Sequence, residues 1–131
     1  GPITRSSVSG WRSGNPSAAI EAYTKGLAIS PNHYAMRWAM SDAYIATQRY
    51  RESLAIVTVL AKETPGDARL WNDIGIDQDN LGEIDDAAEA FQKAVQIDPS
   101  YRLAWGNLAK SYRHFGYLDK AKDAQAKADG R

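Results

Sequence analysis

Apolar side chains recur along this chain at helical spacing, in pairs of short segments separated by polar turns. Leu54, Val57 and Leu60 illustrate the pattern, because side chains three or four residues apart lie on one face of a helix. The same period of 3.6 residues is kept through most of the chain, which is typical of helices and not of strands. We predict an all-α chain with helices near 34–47, 50–63, 68–81, 84–97, 101–115 and 118–129.

The first residues do not fit this pattern. Gly1-Pro2 look like the scar that a protease leaves when a tag is removed, and residues 3–13 place Ser and Gly where a helix needs apolar side chains. Residues 1–13 are therefore expected to be irregular or weakly helical. Asn15 and Pro16 then read as an N-cap followed by proline at the first helical position, so a helix is predicted from there to just before Pro31.

The most regular stretch runs from Ala68 to Pro99, and its landmarks recur at a fixed interval further along the chain. In order, those landmarks are Trp71, Ile74, Gly75, Leu81, Gly82, Ala87, Phe91, Ala94 and Pro99. Moved forward by one interval, the frame meets Trp105, Leu108, Ala109, Phe115, Gly116, Ala121 and Ala128. Prolines with the same spacing stand at Pro31, Pro65 and Pro99. Such self-similarity is the signature of a repeat protein.

A 34-residue period with this order of Trp, small residue, Gly, Ala, aromatic, Ala and Pro resembles the tetratricopeptide repeat. The resemblance implies a right-handed superhelical α-solenoid of antiparallel helix pairs. It divides residues 14–131, expected to form a single domain, into a half-repeat at 14–33 and repeats at 34–67, 68–101 and 102–131. Gly75 and Ala87 then stand where two helices approach closely, and Leu81-Gly82 mark the turn between them.

Three positions depart from the repeat pattern. Arg37 occupies the signature Trp position of the 34–67 repeat, and Trp38 is displaced by one residue, which rotates its side chain by about 100° around the helix. Gln78 stands where the neighbouring repeats have Tyr44 and Tyr112, so a polar or wet spot is expected inside the 68–101 repeat. The last helix is polar, with Gln125 in the position of Phe91, which is consistent with a terminal element that faces solvent.

Charge and composition narrow the classes of partner. The 131 residues contain 16 basic and 16 acidic side chains and no cysteine, so no overall field favours nucleic acid and no disulfide framework exists. No apolar run approaches the length of a membrane span, so we expect a soluble chain without direct membrane insertion. The compartment is unknown, with the cytoplasm favoured.

Candidate catalytic chemistry is sparse. His33 and His114 are far apart and lack a second ligand at a metal-binding interval, so both are interpreted as solvated surface residues. The acidic stretch from Asp77 to Asp86 lacks the terminal glutamate of a calcium loop, whose position holds Ala88, and carboxylates at a helix start are favoured by the helix dipole. We therefore predict no enzyme activity, no cofactor and no metal site.

The resemblance also implies a ligand face. In proteins of this kind the first helix of each repeat lines a concave groove, and the corresponding positions are carried over residue by residue. The predicted groove residues are Trp38, Asp42, Ile45, Asn72, Asp73, Ile76, Asp79, Asn107, Lys110, Arg113 and His114. They suggest apolar anchors, an acidic centre and a basic end, although each charge could equally be plain solvated surface. Trp38 is either a displaced core residue or a groove anchor.

The function implied is a non-catalytic scaffold or adaptor that binds a peptide or a helical segment of a partner protein in this groove. Capture of chaperone C-terminal carboxylates is not expected, because Asp42 and Asp73 stand at clamp positions and would repel a carboxylate. One alternative is a homo-oligomer that assembles through its ends, since residues 67–98 carry nine acidic and two basic side chains, whereas 99–131 carry seven basic and three acidic. The other is a regulatory arm of a larger enzyme.

Overall fold

A computed structural model describes residues 15–131, and all regular structure within that range is helical. Each predicted boundary from residue 34 onward lies within one residue of the observed one, so the all-α prediction is confirmed. The prediction for residues 1–13 lies outside the described residues. The helices are α1 (Pro16–Ile29), α2 (Tyr34–Ala46), α3 (Tyr50–Glu63), α4 (Ala68–Asn80), α5 (Ile84–Ile97), α6 (Arg102–Phe115) and α7 (Leu118–Ala128).

The chain divides into two compact units, Gly1–Leu60 and Ala61–Arg131, and the division falls inside α3. Within the described residues, unit 1 holds α1, α2 and most of α3, and unit 2 holds α4 to α7. The single domain expected over 14–131 stays a prediction.

Polar side chains begin three of the helices. The Asn15 side chain accepts a hydrogen bond from the backbone N–H of Ala18 at 3.1 Å, with Pro16 at the first helical position, as predicted. His33 is exposed and caps α2, because its Nδ1 accepts from the N–H of Met36 at 3.2 Å. Asp67 caps α4 by accepting from the N–H of Arg69 at 3.0 Å. These caps satisfy N–H groups that have no partner within the helix.

Unit 1 shows what replaces the displaced tryptophan. Arg37, at the signature position, donates from Nη2 to the carbonyl of Asn32 at 3.3 Å. Trp38 is 6% exposed, and its ring meets Tyr34 edge-on with ring centroids 5.8 Å apart. The one-residue displacement therefore leaves Trp38 buried, in agreement with the first of its two interpretations.

Unit 2 consists of two antiparallel helix pairs, α4 with α5 and α6 with α7, and α5 packs against α6. The first helix of each pair is tied to the loop before it by the same hydrogen bond, in which a tryptophan Nε1–H donates to a proline carbonyl. Trp71 reaches Pro65 at 3.2 Å and Trp105 reaches Pro99 at 2.7 Å. The core of the unit is formed by Ala68, Ala87, Phe91, Ala94, Val95, Ala104 and Leu108.

The tight approach of α4 and α5 lies at Gly75. A Cβ atom added there would be 2.6 Å from Cδ1 of Phe91, whose ring is 2% exposed and has no room to withdraw. In the next repeat Ala109 replaces Gly75 and Gln125 replaces Phe91. The helix position therefore accommodates a methyl group where no aromatic ring stands opposite. The size of the residue on the first helix of each pair thus complements the size of the residue opposite it on the second helix.

We expect Gly75→Ala to lower the free energy of unfolding by about 1–3 kcal/mol, because the added methyl group overpacks the core against Phe91. Gly106→Ala is the matched control, since a Cβ there would lie at an ordinary 3.7 Å from Ala128. That variant should be neutral or more stable by up to about 1 kcal/mol. Urea denaturation followed by circular dichroism measures both changes, and equal stability of the two variants would contradict the packing account.

The turns inside the three complete repeats share one backbone conformation. Gly82 and Gly116 have left-handed φ angles of 82° and 80°, and Gln48, at the corresponding position of the 34–67 repeat, has a φ of 61°. A side chain in this region is crowded by the following carbonyl oxygen, which glycine avoids. The 34–67 repeat therefore forms the same turn under strain.

Gln48→Gly should raise the free energy of unfolding by about 0.5–1 kcal/mol, because glycine adopts the left-handed conformation without strain. The reverse exchange, Gly82→Gln, should lower it by about 1–2 kcal/mol. Both residues are exposed, so lost packing does not complicate the comparison. Thermal and urea denaturation of the two variants provide the test, and a loss of stability in Gln48→Gly would show that the turn is not strained.

Candidate functional site

The eleven predicted groove residues lie in both units. Trp38, Asp42 and Ile45 belong to α2 of unit 1, and the other eight belong to α4 and α6 of unit 2. Each group is considered within its own unit, and the binding role of these residues stays a prediction.

The three residues of unit 1 offer little open surface. Trp38 is buried, so its ring is not available to a ligand and we leave it out of the proposed site. Asp42 and Ile45 are half-buried. Burial raises the pKa of the Tyr23 hydroxyl, and the negative charge of Asp42 raises it further.

In unit 2 two polar contacts join α4 to α6. Asn107 donates from Nδ2 to Oδ1 of Asn72 at 3.0 Å, and Nζ of Lys110 lies 3.6 Å from Oδ2 of Asp79. Residues from different repeats are therefore neighbours. We use the name α4–α6 face for the eight predicted groove residues of these two helices: Asn72, Asp73, Ile76, Asp79, Asn107, Lys110, Arg113 and His114.

The acidic and the basic residues of the α4–α6 face differ in their exposure to solvent. Asn72 and Asp73 are each 1% exposed, and Asp79, half-buried, forms its ion pair with Lys110. Arg113 and His114 are exposed. Of the aspartates on this face, Asp73 is therefore withdrawn from solvent and Asp79 is paired, so Arg113 supplies the exposed charge that has no acidic partner here.

The exposed end of the α4–α6 face rests on aromatic and polar neighbours. Arg113 donates from Nη1 to Oε1 of Gln125 on α7 at 3.4 Å, a long hydrogen bond that a stronger acceptor could replace. The His114 ring meets Phe115 edge-on, with centroids 5.3 Å apart. Ile76 is half-buried against the core and gives the face an apolar patch. The face thus combines the exposed guanidinium of Arg113 with one half-buried apolar side chain, Ile76.

The expected polar spot at Gln78 is confirmed. Its Oε1 is sealed from solvent and has no hydrogen-bond donor within the described part of the chain. Gln78 also lines an open hollow of about 260 Å³ between α4 and α5, which sequence reasoning did not foresee. The hollow is also lined by Trp71, Ile74, Asp86, Glu89, Ala90 and Lys93.

Within residues 15–131, no three His, Asp or Glu side chains lie close enough together to hold a metal ion. No helix in this range combines the length and the apolar character needed to cross a membrane.

Family models described as tetratricopeptide repeats match residues 11–72, 68–101 and 103–130. The chain belongs to the tetratricopeptide repeat family. These matches cover the half-repeat and all three complete repeats, so the resemblance inferred from the 34-residue period is confirmed.

Curated relatives share part of this repeat region. The chain is 29% identical to heat shock protein STI1 of Saccharomyces cerevisiae over 111 residues, which are 82% of this chain and 18% of that protein. It is 30% identical to Superkiller complex protein 3 of Homo sapiens over 79 residues, which are 60% of this chain and 5% of that protein. The chain therefore spans less than a fifth of the length of either relative.

Among solved structures, MamA 41-end from Desulfovibrio magneticus RS-1 superimposes with a TM-score of 0.86 at 20% sequence identity. The match covers 97% of this chain and 75% of that one. At this level of identity the likeness shows a shared fold, and the tetratricopeptide repeat fold is thereby supported from structure as well as sequence.

The contact between the first helices of adjacent repeats can be tested through its amides. Asn107→Ala should lower the free energy of unfolding by about 1–3 kcal/mol, because it leaves the buried Oδ1 of Asn72 without its donor. Asn80→Ala is the control, since Asn80 is exposed and its amide bonds to the carbonyl of Ile76 in its own helix. It should change stability by less than about 0.5 kcal/mol.

Adding Asn72→Ala to Asn107→Ala should recover part of the lost stability, because both polar partners are then absent. The urea denaturation midpoints of the parent chain, the two single variants and the double variant give the coupling energy between the two side chains. A coupling indistinguishable from zero would mean that the hydrogen bond does not hold α4 to α6.

Proposed function

We propose that this chain is a non-catalytic protein–protein interaction module that binds a peptide or a helical segment along the α4–α6 face. The observation that carries the proposal is the exposure pattern of that face, where Arg113 and His114 are exposed and Asp73 is buried. A surface built this way attracts an acidic segment, and its half-buried Ile76 can pack against an apolar side chain of the same segment.

Family membership supports the non-catalytic part of the proposal. The residues that define the repeats have structural roles in unit 2. Trp71 donates a hydrogen bond to a proline carbonyl, Gly75 makes room for Phe91, and Gly82 forms a turn. The names of the relatives describe a heat shock protein and a member of a complex, which also favours an interaction role. We propose no cofactor, since binding of a segment needs none.

Arginine is the residue of this face best suited to hold a partner. Its guanidinium can bind a carboxylate through two parallel hydrogen bonds, and such charge-assisted pairs are about twice as strong as neutral ones. Arg113 donates one N–H to the neutral amide of Gln125, so a carboxylate of the partner is a better acceptor. Lys110 is already paired with Asp79 and contributes less.

Selection of peptides from a display library on the immobilised protein tests the proposed function. We expect sequences enriched in Asp and Glu around an apolar residue, and we expect Arg113→Glu to weaken their binding by about tenfold or more. Lys62→Glu is the matched control, because it makes the same change of charge at an exposed residue of α3 outside this face. Selection of basic sequences, or equal binding by both variants, would overturn the proposal.

A second candidate function is self-association, and the distribution of exposed charge favours it. Asp85, Asp86 and Glu89 are exposed on α5, whereas Arg113 and Lys122 are exposed on α6 and α7. Two copies could therefore attract each other through unlike surfaces, and screening by salt would weaken the contact. Light scattering at low salt separates the two functions, since a constant monomer mass at all concentrations removes self-association and leaves peptide binding untouched.

A further inference from the structure

The hollow between α4 and α5 is chemically unlike the α4–α6 face and shares no residue with it. Trp71 and Ile74 supply apolar walls, while Asp86 and Glu89 are exposed and bring two carboxylates to it. Lys93 is the one cation among the lining residues, so the charges around the hollow sum to a negative value. A cationic guest is favoured there.

The next repeat shows what normally stands at this position. Tyr112 occupies the place of Gln78 one repeat later, and its hydroxyl accepts a hydrogen bond from Nε2 of Gln92 at 3.2 Å. Lys120, which corresponds to Asp86, places its Nζ 5.8 Å from the centre of that ring. In the 68–101 repeat the ring is missing and the cation is replaced by a carboxylate, so the hollow opens next to negative charge.

Gln78 does not fill that space or satisfy its own polar atom. Oε1 is buried without a hydrogen-bond donor in the described residues, and such an atom costs free energy that a donor would recover. Because Gln78 lines the hollow, a guest that carries N–H groups offers the donor that this oxygen lacks, once the terminal amide rotates. The guest must therefore carry N–H groups as well as positive charge.

The tryptophan wall already holds a cation. Nζ of Lys93 lies 4.5 Å from the centre of the Trp71 ring, within the range of a cation–π interaction. Lys127 makes the same contact with Trp105 at 4.3 Å in the next repeat, where Tyr112 occupies the position of Gln78. Both rings thus attract positive charge, and in the 68–101 repeat the hollow of about 260 Å³ lies beside the ring.

We propose that this hollow binds an arginine side chain of a partner protein. A guanidinium is flat like the missing ring, stacks on an indole, and offers five N–H donors to Gln78, Asp86 and Glu89. An ammonium lacks the plane, and a neutral aromatic side chain leaves both carboxylates unused. The site does not depend on the segment bound by the α4–α6 face, so the chain has two surfaces of opposite charge preference.

Titration with Nα-acetyl-arginine amide, followed by ¹H–¹⁵N NMR, tests this proposal on the full chain. The indole N–H resonance of Trp71, assigned from the spectrum of Trp71→Phe, should shift in a saturable way with a Kd of about 1 mM. The Trp105 indole serves as the internal control and should not shift. Nα-acetyl-citrulline amide, which has the same shape without the charge, should bind about tenfold more weakly or not at all.

Two variants place the binding in the hollow. Glu89→Lys should weaken the arginine response about tenfold or more, whereas Asp123→Lys, the equivalent exposed residue of the next repeat, should leave it unchanged. Gln78→Tyr should abolish the response by filling the hollow, and spectral dispersion shows whether that variant folds. Equal shifts at Trp71 and Trp105, equal affinity for citrulline, or an unaffected Glu89→Lys variant would each overturn the proposal.

The same experiment keeps the two binding functions apart. Arg113→Glu should leave the Trp71 response intact, and Glu89→Lys should leave the binding of selected acidic peptides intact. Loss of arginine binding in Arg113→Glu would show that the response belongs to the α4–α6 face and would overturn the separate site.

Discussion

The fit between Gly75 and the Phe91 ring is the constraint on which unit 2 depends. A helix pair buries its apolar faces only if the two backbones come close, and a residue without a Cβ permits that approach at its tightest point. The tryptophan of α4 binds the carbonyl of Pro65 in the preceding loop, and the 34-residue period places the same bond between Trp105 and Pro99. The second pair then stacks on the first through α5 and α6.

Stacking of the pairs decides which charges of the first helices reach solvent. Asn72 and Asp73 lie on the side of α4 that is covered, whereas Arg113 and His114 lie near the end of α6, where they are exposed. The face that results is basic although the sequence around α4 is acidic. The preference of unit 2 for an acidic segment, as proposed, therefore follows from helix packing and not from the local composition.

Three residues that depart from the repeat pattern have different structural consequences. Arg37 replaces a tryptophan and still finds a loop carbonyl, at Asn32, so that exchange keeps the edge of the helix attached. Gln78 replaces an aromatic ring and leaves a hollow with a buried, unsatisfied oxygen. Gln48 replaces a glycine and keeps the turn at a positive φ. The first exchange therefore keeps a hydrogen bond to the preceding loop, whereas the second leaves a hollow and the third a strained turn.

The sequence by itself determined the helices, their boundaries and the family, because hydrophobic period, N-caps and the 34-residue spacing are local properties of the chain. It also located the polar spot at Gln78, since one repeat can be compared with the next. Tertiary structure alone decided that Trp38 is buried, that Asp73 is withdrawn, and that Asn107 bonds to Asn72. Exposure and pairing of a side chain depend on the helix that packs beside it, and no pattern within a single helix contains that information.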